Sequence, residues 1–380
     1  MKLIHLSDLH LGKRWKEYSL LAEQSKILDT VLQVIDEEHP DAVLLAGDIY
    51  DKTVPSAEAV RLFDGFLSAL CARHVQTFVI SGNHDSPERI AFGGRVMAAG
   101  GVHLSPVYEG NVQPTVLQDA FGDLHVYMLP FVKPSHVRAA FPDAEIESYT
   151  DALRVAVSAM EVDTGVRNIL VAHQFVTGAL PAGSEEMTVG GTENVDAAVF
   201  ADFDYVALGH IHSAQHCGVR HIRYCGTPLK YSFSEVNDRK SVTVVELFEK
   251  GEPPLIRTVP LPQPREVREL RGDFATLTAP AFYQGTSYGE DFVRITLTDE
   301  EDIPEANARL RLIYSHMLQL QYDNKRTAGE ALPAGRVDAE SKTPAALFAE
   351  LFLLQNNREM SEQQQRYVAA LLEGIEEELS

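Results

Sequence analysis

Cysteine is scarce in this chain of 380 residues: Cys71, Cys217 and Cys225 are odd in number and widely spaced. They are typical of buried thiols in a reducing cytoplasm rather than of a disulfide framework. Long hydrophobic runs are missing too, since no stretch reaches the roughly 18 apolar residues of a membrane span. A signal peptide is not expected, because residues 2–6 form a predicted strand that leads directly into Ser7-Asp8.

Positive charge is the other shortage. Thirty-three Lys and Arg stand against fifty-five Asp and Glu, which gives a net charge of −22. This balance disfavours broad, sequence-independent clamping of nucleic acid, unless bound metals, local basic loops or a partner subunit supply a positive field. A Gly-x-x-x-x-Gly-Lys-Ser/Thr motif is also missing from the sequence, so binding of ATP by that motif is excluded.

What is present is ample apolar material in an alternating order. The chain is 45% hydrophobic and 8% aromatic, as in ordinary globular proteins, and its length predicts two or three domains. Over residues 1–260, short β-branched runs alternate with segments of helical period, which predicts α/β layers with parallel pairing. Strands are expected at 4–6, 42–46, 77–80, 125–129, 168–172 and 204–208, an antiparallel strand at 241–248, and helices at about 19–38, 56–73 and 87–98.

A domain boundary is predicted near Leu261-Pro262-Gln263-Pro264. Residues 1–262 then form an α/β domain and residues 263–323 a small α+β domain. In the latter, strands at 291–297 and 317–322 flank a helix from Pro304 to about Ser315. Residues 324–342, with Gly329, Pro333 and Gly335 and few large apolar groups, are predicted to be a linker.

Residues 343–380 predict a helical hairpin. Thr343-Pro344 is a good N-cap and first-turn pair, and Ser361-x-x-Gln364 is a capping box. Apolar residues recur at helical spacing after both, from Leu347 to Leu354 and from Tyr367 to Leu379. Two interpretations stay open at this point: the hairpin packs on the rest of this chain, or it docks on another protein's helices.

The chemistry is concentrated in five fragments that each follow a short apolar run. They are Asp8-Leu9-His10, Gly47-Asp48, Gly82-Asn83-His84-Asp85, His173 and Gly209-His210-Ile211-His212. Ligands of open α/β sheets bind beyond the carboxyl ends of the strands, so these fragments are expected to converge there. Carboxylate, amide and imidazole donors without thiolate favour Mn²⁺, Fe²⁺ or Zn²⁺ over Ca²⁺ or Mg²⁺. Together the fragments predict a two-metal phosphoesterase site.

Any one fragment alone would be unremarkable: a lone Asp-x-His is usually a turn, and a lone buried histidine usually belongs to the core. Five such fragments in this order, each at the end of a strand-like run, predict a metal site. The remaining histidines lack such a context and are expected to be surface or packing residues.

The five fragments resemble the signature of the calcineurin-like metallophosphoesterases, and the surrounding sequence resembles the DNA-nuclease members of that family. Leu6–Gly12, Gly47–Asp51, Ser81–Arg89 and Tyr224–Glu235 carry the closer likeness. The likeness is tight over about residues 1–250 and architectural beyond 265. It implies two mixed sheets flanked by helices, followed by a small capping, DNA-binding domain and helices that bind the coiled coil of an ATPase partner.

The resemblance also implies a role for each motif position. Two divalent metal ions, expected to be Mn²⁺, would be held by seven ligands: Asp8, His10, Asp48, Asn83, His173, His210 and His212. Asp48 would bridge the ions. His84 would contact the scissile phosphate and protonate the leaving oxygen or stabilise the transition state, and Asp85 would help to orient it. Some relatives carry histidine where this chain has Asp51, so no catalytic role is transferred to that residue.

The function implied is that of an Mn²⁺-dependent nuclease in DNA repair, recombination and replication. It would be a 3′–5′ double-strand exonuclease and a single-strand and hairpin endonuclease. An ATPase subunit would supply ATP hydrolysis and much of the binding affinity for DNA. The chain would form a homodimer within a heterotetramer, and the complex would act in the cytoplasm at the nucleoid.

Helices at 56–98 are the expected dimer contact, although Val60, Phe63, Phe66, Leu67 and Leu70 could equally be core. Lys13, Arg14 and Lys16 are expected to contact the DNA backbone, and Lys52, Arg89 and Lys133 are weaker candidates.

Two other functions compete with this one. The same site could hydrolyse small phosphodiesters such as cyclic nucleotides, but the 120-residue extension past the catalytic block argues against a small substrate. A binding subunit with a relic site is the other alternative, and the complete ligand set argues against it.

Overall fold

The computed structural model describes residues 1–181, 194–324, 343–356 and 358–379. The chain divides into two compact units, Met1–Glu266 and Val267–Ser380. The predicted linker at 324–342 lies outside the described residues from position 325 onward.

The first unit is built from strands and helices in alternation. Its strands are β1 Lys2–Leu6, β2 Arg14–Trp15, β3 Tyr18–Ser19, β4 Ala42–Ala46, β5 Gln76–Ile80, β6 Val102–Leu104, β7 Thr115–Asp119, β8 Gly122–Leu129, β9 Arg167–His173, β10 Tyr205–Gly209, β11 Gln215–Cys217, β12 Val219–Tyr224, β13 Ser241–Glu246 and β14 Leu255–Pro260. Its α-helices are α1 Leu21–Glu38, α2 Ala57–Ala72, α3 Pro87–Ile90, α4 Gly94–Met97, α5 Pro134–Ala140 and α6 Tyr149–Ser158.

Two mixed sheets organise these strands, as predicted. The first has the order β14-β13-β1-β4-β5-β6 and the second the order β11-β12-β10-β9-β8-β7. In the first, β1, β4, β5 and β6 are parallel, and β13 lies antiparallel to β1. In the second, β8, β9, β10 and β12 are parallel. The parallel strands of each sheet therefore end at one edge, and the predicted antiparallel strand at 241–248 is confirmed.

The two sheets pack face to face through apolar side chains. Leu3, Leu44 and Phe78 of the first sheet share a buried cluster with Ile169 and Ala207 of the second. Helices α5 and α6 cover the other face of the second sheet in a separate cluster. Helix α1 buries an apolar stripe, and β4 is buried along its whole length. A strand covered on both faces needs a continuous apolar run, which Ala42–Ala46 provides.

Some predicted features differ in detail. The third helix is interrupted, because Gly93 adopts φ +75° between α3 and α4. The edge strands β7 and β14 were missed, since edge strands are half exposed and lack a continuous apolar run. Cys217 and Cys225 are buried as expected, whereas Cys71 is only partly buried.

The second unit begins with a three-stranded parallel sheet, formed by β15 Val267–Gly272, β16 Phe292–Leu297 and β17 Met317–Tyr322. Helices α7 Phe274–Thr278, α8 Pro280–Tyr283 and α9 Ala306–Arg311 complete it. The sequence predicted two strands around one helix. It missed β15, because charged residues interrupt the alternation of apolar and polar side chains there, and the predicted helix is longer than α9. A buried cluster that includes Ile295, Leu310 and Tyr314 holds the sheet and helices together.

The helical hairpin follows as α10 Pro344–Asn356 and α11 Glu362–Leu379. Both predicted caps form. The Thr343 hydroxyl accepts a hydrogen bond from the Ala346 amide at 3.3 Å, and Ser361 and Gln364 bond reciprocally at 2.9 and 3.3 Å. Within the described part of the chain, no helix has both the length and the apolar character that crossing a membrane requires.

Candidate metal centre

The five fragments meet at the edge where the parallel strands of both sheets end. Asp8 follows β1, Asp48 follows β4, Asn83 follows β5, His173 is the last residue of β9 and His210 follows β10. Asp8, His10, Asp48 and His210 all have positive φ, which is uncommon for residues with side chains. Such backbone turns the chain sharply at the strand end and aims successive polar groups at one place.

Two glycines make this close approach possible. Gly47 has φ +85°, and a Cβ built there would lie 2.5 Å from Nδ1 of His173. A Cβ on Gly209 would collide with the carbonyl oxygen of Ala46, on the facing sheet. The glycine before Asp48 and the glycine before His210 are therefore steric requirements of bringing the two sheet edges together.

One group of donors contains Asp8, His10 and His212, with one ligand atom from each within 4.8 Å of the others. The Nε2 atoms of His10 and His212 are 3.2 Å apart. The backbone amide of His210 donates to both Asp8 carboxylate oxygens, at 3.1 and 3.2 Å, and the Ser7 hydroxyl donates to the same carboxylate. Asp8 is thus held in a fixed orientation.

Asp48 lies between the donor groups. Its Oδ2 is 3.7 Å from Nε2 of His10, 3.4 Å from Nε2 of His173 and 3.9 Å from Nε2 of His84. Its Oδ1 accepts a hydrogen bond from the His84 backbone amide at 2.9 Å. A carboxylate so placed can bind ions on either side, as a bridging ligand requires.

Asn83, His173 and His210 form the second group. The Oδ1 atom of Asn83 is 2.9 Å from Nε2 of His173 and 3.0 Å from Nδ1 of His210. Nδ1 of His173 donates to the carbonyl oxygen of Ala46 at 2.8 Å, so in the neutral ring Nε2 carries the lone pair. That lone pair faces an amide oxygen and the Asp48 carboxylate, and all three are electron-pair donors.

The electrostatics of the cluster call for a cation. Burial alone would lower the pKa of His173, but the Asp48 carboxylate outweighs it and raises that pKa to about 9. Burial raises the pKa of Asp8 to about 6, and the Asp48 charge contributes in the same direction. Burial likewise lowers the pKa of His210 to about 3 and that of His10 below its usual range. His10 and His210 are thus neutral donors, whereas His173 holds a proton that a divalent metal ion would displace on binding, because metal ligation requires the neutral imidazole.

A buried ion pair, Glu235 and Lys240, lies on the Nδ1 side of the His212 ring. Oε1 of Glu235 lies 3.4 Å from Nδ1 of His212, and Oε2 accepts from Nζ of Lys240 at 2.6 Å. Burial would raise the pKa of Glu235, but the hydrogen bond with His212 and the charge of Lys240 hold it below its usual value. A carboxylate on Nδ1 directs the Nε2 lone pair of His212 toward the other donors, as in carboxylate–histidine–metal arrangements.

Glu235 was not predicted as a site residue, although it ends the Tyr224–Glu235 motif. It lies in a 3₁₀ turn, Phe233–Glu235, twenty-odd positions after His212 in a segment with no strand pattern. Only the motif likeness could have pointed to it.

His84 stands at the mouth of the cluster. Its Nδ1 donates to the carbonyl oxygen of Asp51 at 3.2 Å, which leaves Nε2 facing the donors. Asp85 does not contact the His84 ring. Its carboxylate accepts from the backbone amides of Gly82, Ile49 and Tyr50 at 2.9 to 3.0 Å, so it ties the loop after β5 to the loop after β4. Burial, and then the Asp48 charge, raise the pKa of Asp85 to about 6.

The predicted DNA-contact residues surround a small hairpin, β2–β3. Nζ of Lys13 pairs with the Asp51 carboxylate at 2.8 Å, and Asp51 also lies 3.9 Å from Nδ1 of His10. Arg14 and Lys16 are exposed. Lys13 is therefore partly neutralised by Asp51 and sits close to the metal-binding edge.

Comparison with known proteins shows the family to which this chain belongs. The calcineurin-like phosphoesterase family model matches residues 1–214, and the type 5 capsule protein repressor C-terminal domain model matches residues 263–356. The D subunit of the SbcCD nuclease from Staphylococcus epidermidis is 32% identical over 84% of this chain and 85% of its own length. Its counterpart from Staphylococcus saprophyticus is 29% identical over 84% of each chain. Among solved structures, TT1561 of Thermus thermophilus is 14% identical with a TM-score of 0.40 and covers 69% of this chain and 99% of its own.

The chain belongs to the calcineurin-like phosphoesterases and, within them, to the family of the D subunit of the SbcCD nuclease. It is therefore a metal-dependent phosphodiester hydrolase.

Proposed function

We propose that this protein is an Mn²⁺-dependent DNA nuclease that works with an ATPase subunit of the SbcC type. It would act as a 3′–5′ exonuclease on duplex ends and as an endonuclease on single strands and hairpins, in DNA repair, recombination and replication in the cytoplasm at the nucleoid. The convergence of seven donors from five separated fragments, six of them buried, with His84 at their edge, is the observation that carries the proposal.

The donors divide into two ligand sets. Asp8, His10, Asp48 and His212 would hold one ion. Asp48, Asn83, His173 and His210 would hold the other. The short separations between lone-pair atoms, 3.2 Å for His10 and His212 and 2.9 Å for Asn83 and His173, support this division.

When bound, two divalent ions neutralise phosphodiester oxygens and supply an activated water. The residues of the chain do the rest. The Nδ1–H bond to Asp51 orients the His84 ring, and a proton on His84 Nε2 is placed to reach the leaving oxygen. Asp85 acts through the backbone: by fixing the loops after β4 and β5 it sets the distance between His84 and Asp48.

DNA contact would begin at the β2–β3 hairpin, next to the donors. Arg14 and Lys16 offer exposed cations for backbone phosphates, and Lys13 offers one that is shared with Asp51. Three cations cannot hold DNA strongly on a chain of net charge −22, so a partner subunit would supply most of the electrostatic attraction.

The helical hairpin is proposed as the docking element for the ATPase partner's coiled coil. A groove of about 820 Å³ runs along it and is lined by Phe348, Phe352, Met360, Tyr367 and Leu371, among others. Several of these apolar side chains are exposed in this chain, including Phe348, Leu351, Tyr367 and Leu371. Helices that present i, i+3 and i+4 apolar anchors suit a helical partner.

A homodimer within a heterotetramer is the proposed assembly. Four of the five α2 residues considered from the sequence, namely Phe63, Phe66, Leu67 and Leu70, are core residues, and only Val60 is exposed. The apolar surface available to a second copy is instead Val60 together with Phe92 and Val96 on the α3–α4 segment. Their exposed fractions are 43%, 83% and 80%.

The direct test uses linear duplex DNA, hairpin DNA and bis-p-nitrophenyl phosphate, each with Mn²⁺, with and without the ATPase partner. The proposal expects cleavage of both DNA substrates that depends on Mn²⁺ and increases with the partner. Hydrolysis of the small diester alone would replace the nuclease assignment by a phosphodiesterase for small substrates.

A further inference from the structure

A second polar cavity lies in the first unit, away from the metal-binding edge. It has a volume of about 290 Å³ and opens at the side of the sandwich, where β11 and β12 of the second sheet face β14 of the first. The residues that line it are His216, Arg220, Arg223, Ile256, Arg257 and Thr258. Three arginines and a histidine around one cavity are unusual in a chain of net charge −22.

The charges in this cavity are unequally compensated. Arg257 is paired with Glu38 through both terminal nitrogens. Arg223 donates through Nε to the Thr243 hydroxyl at 3.2 Å, which fixes its stem and leaves its two terminal nitrogens without a partner among the described residues. Within that same part of the chain, Arg220 forms no ion pair. Two guanidinium groups thus line one cavity without a paired carboxylate among the described residues, and an anion bound there would offset the charge of both.

The register of the strands fixes where the cavity lies. Arg223 pairs with Ala207, three residues before His210, and Thr243 pairs with His5, three residues before Asp8. At about 3.3 Å per strand residue, Arg223 is on the order of 10 Å from the metal-binding edge, and Arg220, three residues earlier in β12, is on the order of 20 Å from it. Backbone phosphates of one DNA strand advance by about 3.4 Å per nucleotide along the helix axis. A strand cleaved at the metal centre therefore has phosphates within reach of the cavity.

We propose that Arg220 and Arg223 form a phosphate-binding site that engages the DNA backbone a few nucleotides from the scissile bond. Arginine suits this role, because its planar fork binds two phosphate oxygens at once. The site rests on the proposed nuclease function and refines it. It would hold the register of the strand and would take no part in bond cleavage.

The test compares full-length chains in complex with the ATPase partner. Arg220→Gln and the double variant Arg220→Gln/Arg223→Gln remove one and two uncompensated charges. Arg154→Gln is the matched control, because it removes an arginine that is already paired with Asp151 at 2.8 Å. Duplex DNA binding is measured over a salt series, and inorganic phosphate is titrated in parallel by calorimetry. Thermal unfolding shows whether the variants remain folded.

The double variant is expected to bind duplex DNA about 10-fold more weakly at low salt, with the slope of log affinity against log salt reduced by about 2. KM for cleavage should rise while kcat stays unchanged, and Arg220→Gln should show about half of the slope change. Arg154→Gln should match the wild type. Binding of inorganic phosphate that is lost in the double variant, with the DNA salt slope unchanged, would assign the site to a free phosphate and overturn the DNA contact. An unchanged slope without phosphate binding would overturn the site altogether.

These outcomes are separable from a failure of the nuclease assignment. In that case the wild-type complex itself would not cleave DNA. If Arg223→Gln unfolds the chain, the Arg220→Gln variant, at an exposed position, still tests whether the salt slope of DNA binding falls.

Discussion

The metal-binding edge and the helical hairpin differ in how far their functional side chains are buried. At the edge, Asp8 and His173 are wholly buried, and each is oriented by a second contact within the chain. On the hairpin, Tyr367 is 69% exposed and the apolar groove faces outward. The first region is complete within one chain, whereas the second exposes apolar surface that a monomer normally covers.

The difference teaches which function each region can perform alone. Donors that are already oriented need little reorganisation to bind metal, so the edge should bind its ions without a partner. An exposed apolar groove gains its stability only when another surface covers it. Substitutions at the edge should therefore change metal binding or catalysis and leave assembly intact, and substitutions on the hairpin should do the reverse.

The largest expected effect separates catalysis from metal binding within the edge itself. His84→Ala should lower kcat for DNA cleavage by about 100- to 10 000-fold, because it removes the proton donor to the leaving oxygen. Metal content, measured by elemental analysis, should stay at the wild-type value. Unchanged turnover would remove His84 from the mechanism, and a loss of metal would make it a ligand instead.

The next effect concerns the hairpin. Tyr367→Ala/Leu371→Ala should weaken binding of the ATPase partner about 100-fold or more, because truncating a buried interface anchor costs about 2 kcal/mol. Removing residues 344–380 should abolish the binding. Arg366→Ala is the control on the same helix, since this exposed residue pairs with Glu362, one turn away on that helix. If the deleted chain still captures its partner, the docking assignment is wrong; metal content should be unaffected throughout.

Glu235→Gln tests whether metal affinity at the edge depends on a residue outside the five fragments. Replacing the carboxylate weakens the orientation of His212, and loss of such a partner lowers metal affinity about 10- to 100-fold. Calorimetry should show this loss of affinity for one of the two Mn²⁺ ions, with the affinity for the other ion unchanged. Asp238→Asn is the control, because Asp238 also contacts Lys240, at 3.3 Å, but not His212. Equal affinities in Glu235→Gln and wild type would reduce Glu235 to a packing residue.

The smallest effect concerns the apolar surface on the α3–α4 segment. Phe92→Ser should weaken self-association about 10-fold, measured by sedimentation equilibrium, if this segment contacts a second copy. Val116→Ser, an exposed position on the edge strand β7, provides the comparison and should leave the association unchanged. Identical behaviour of the two variants would place the dimer contact elsewhere.

The parts of the fold and of the site that the sequence predicts are those encoded by a short stretch of neighbouring residues. Asp8, Asp48 and His210 directly follow apolar runs, so their strand ends and their convergence were predictable. Both hairpin caps were predictable because their motifs are local, whereas the two mixed sheets were implied by the family resemblance and not by the local pattern. The support of His212 by Glu235 and the cavity that Arg220 and Arg223 of β12 form with β14 depend on packing between distant segments. No local pattern encodes these contacts, and the half-exposed edge strands β7 and β14 escaped for lack of a clear period.

The most direct test of the central claim is a calorimetric titration of the metal-free chain with Mn²⁺, repeated on Asp48→Asn. If the edge holds two ions bridged by Asp48, the wild-type chain binds two Mn²⁺ without any partner. The variant should then bind at most one tightly and lose cleavage of duplex DNA. One ion on the wild type, or two ions of unchanged affinity on Asp48→Asn, would contradict the two-metal account.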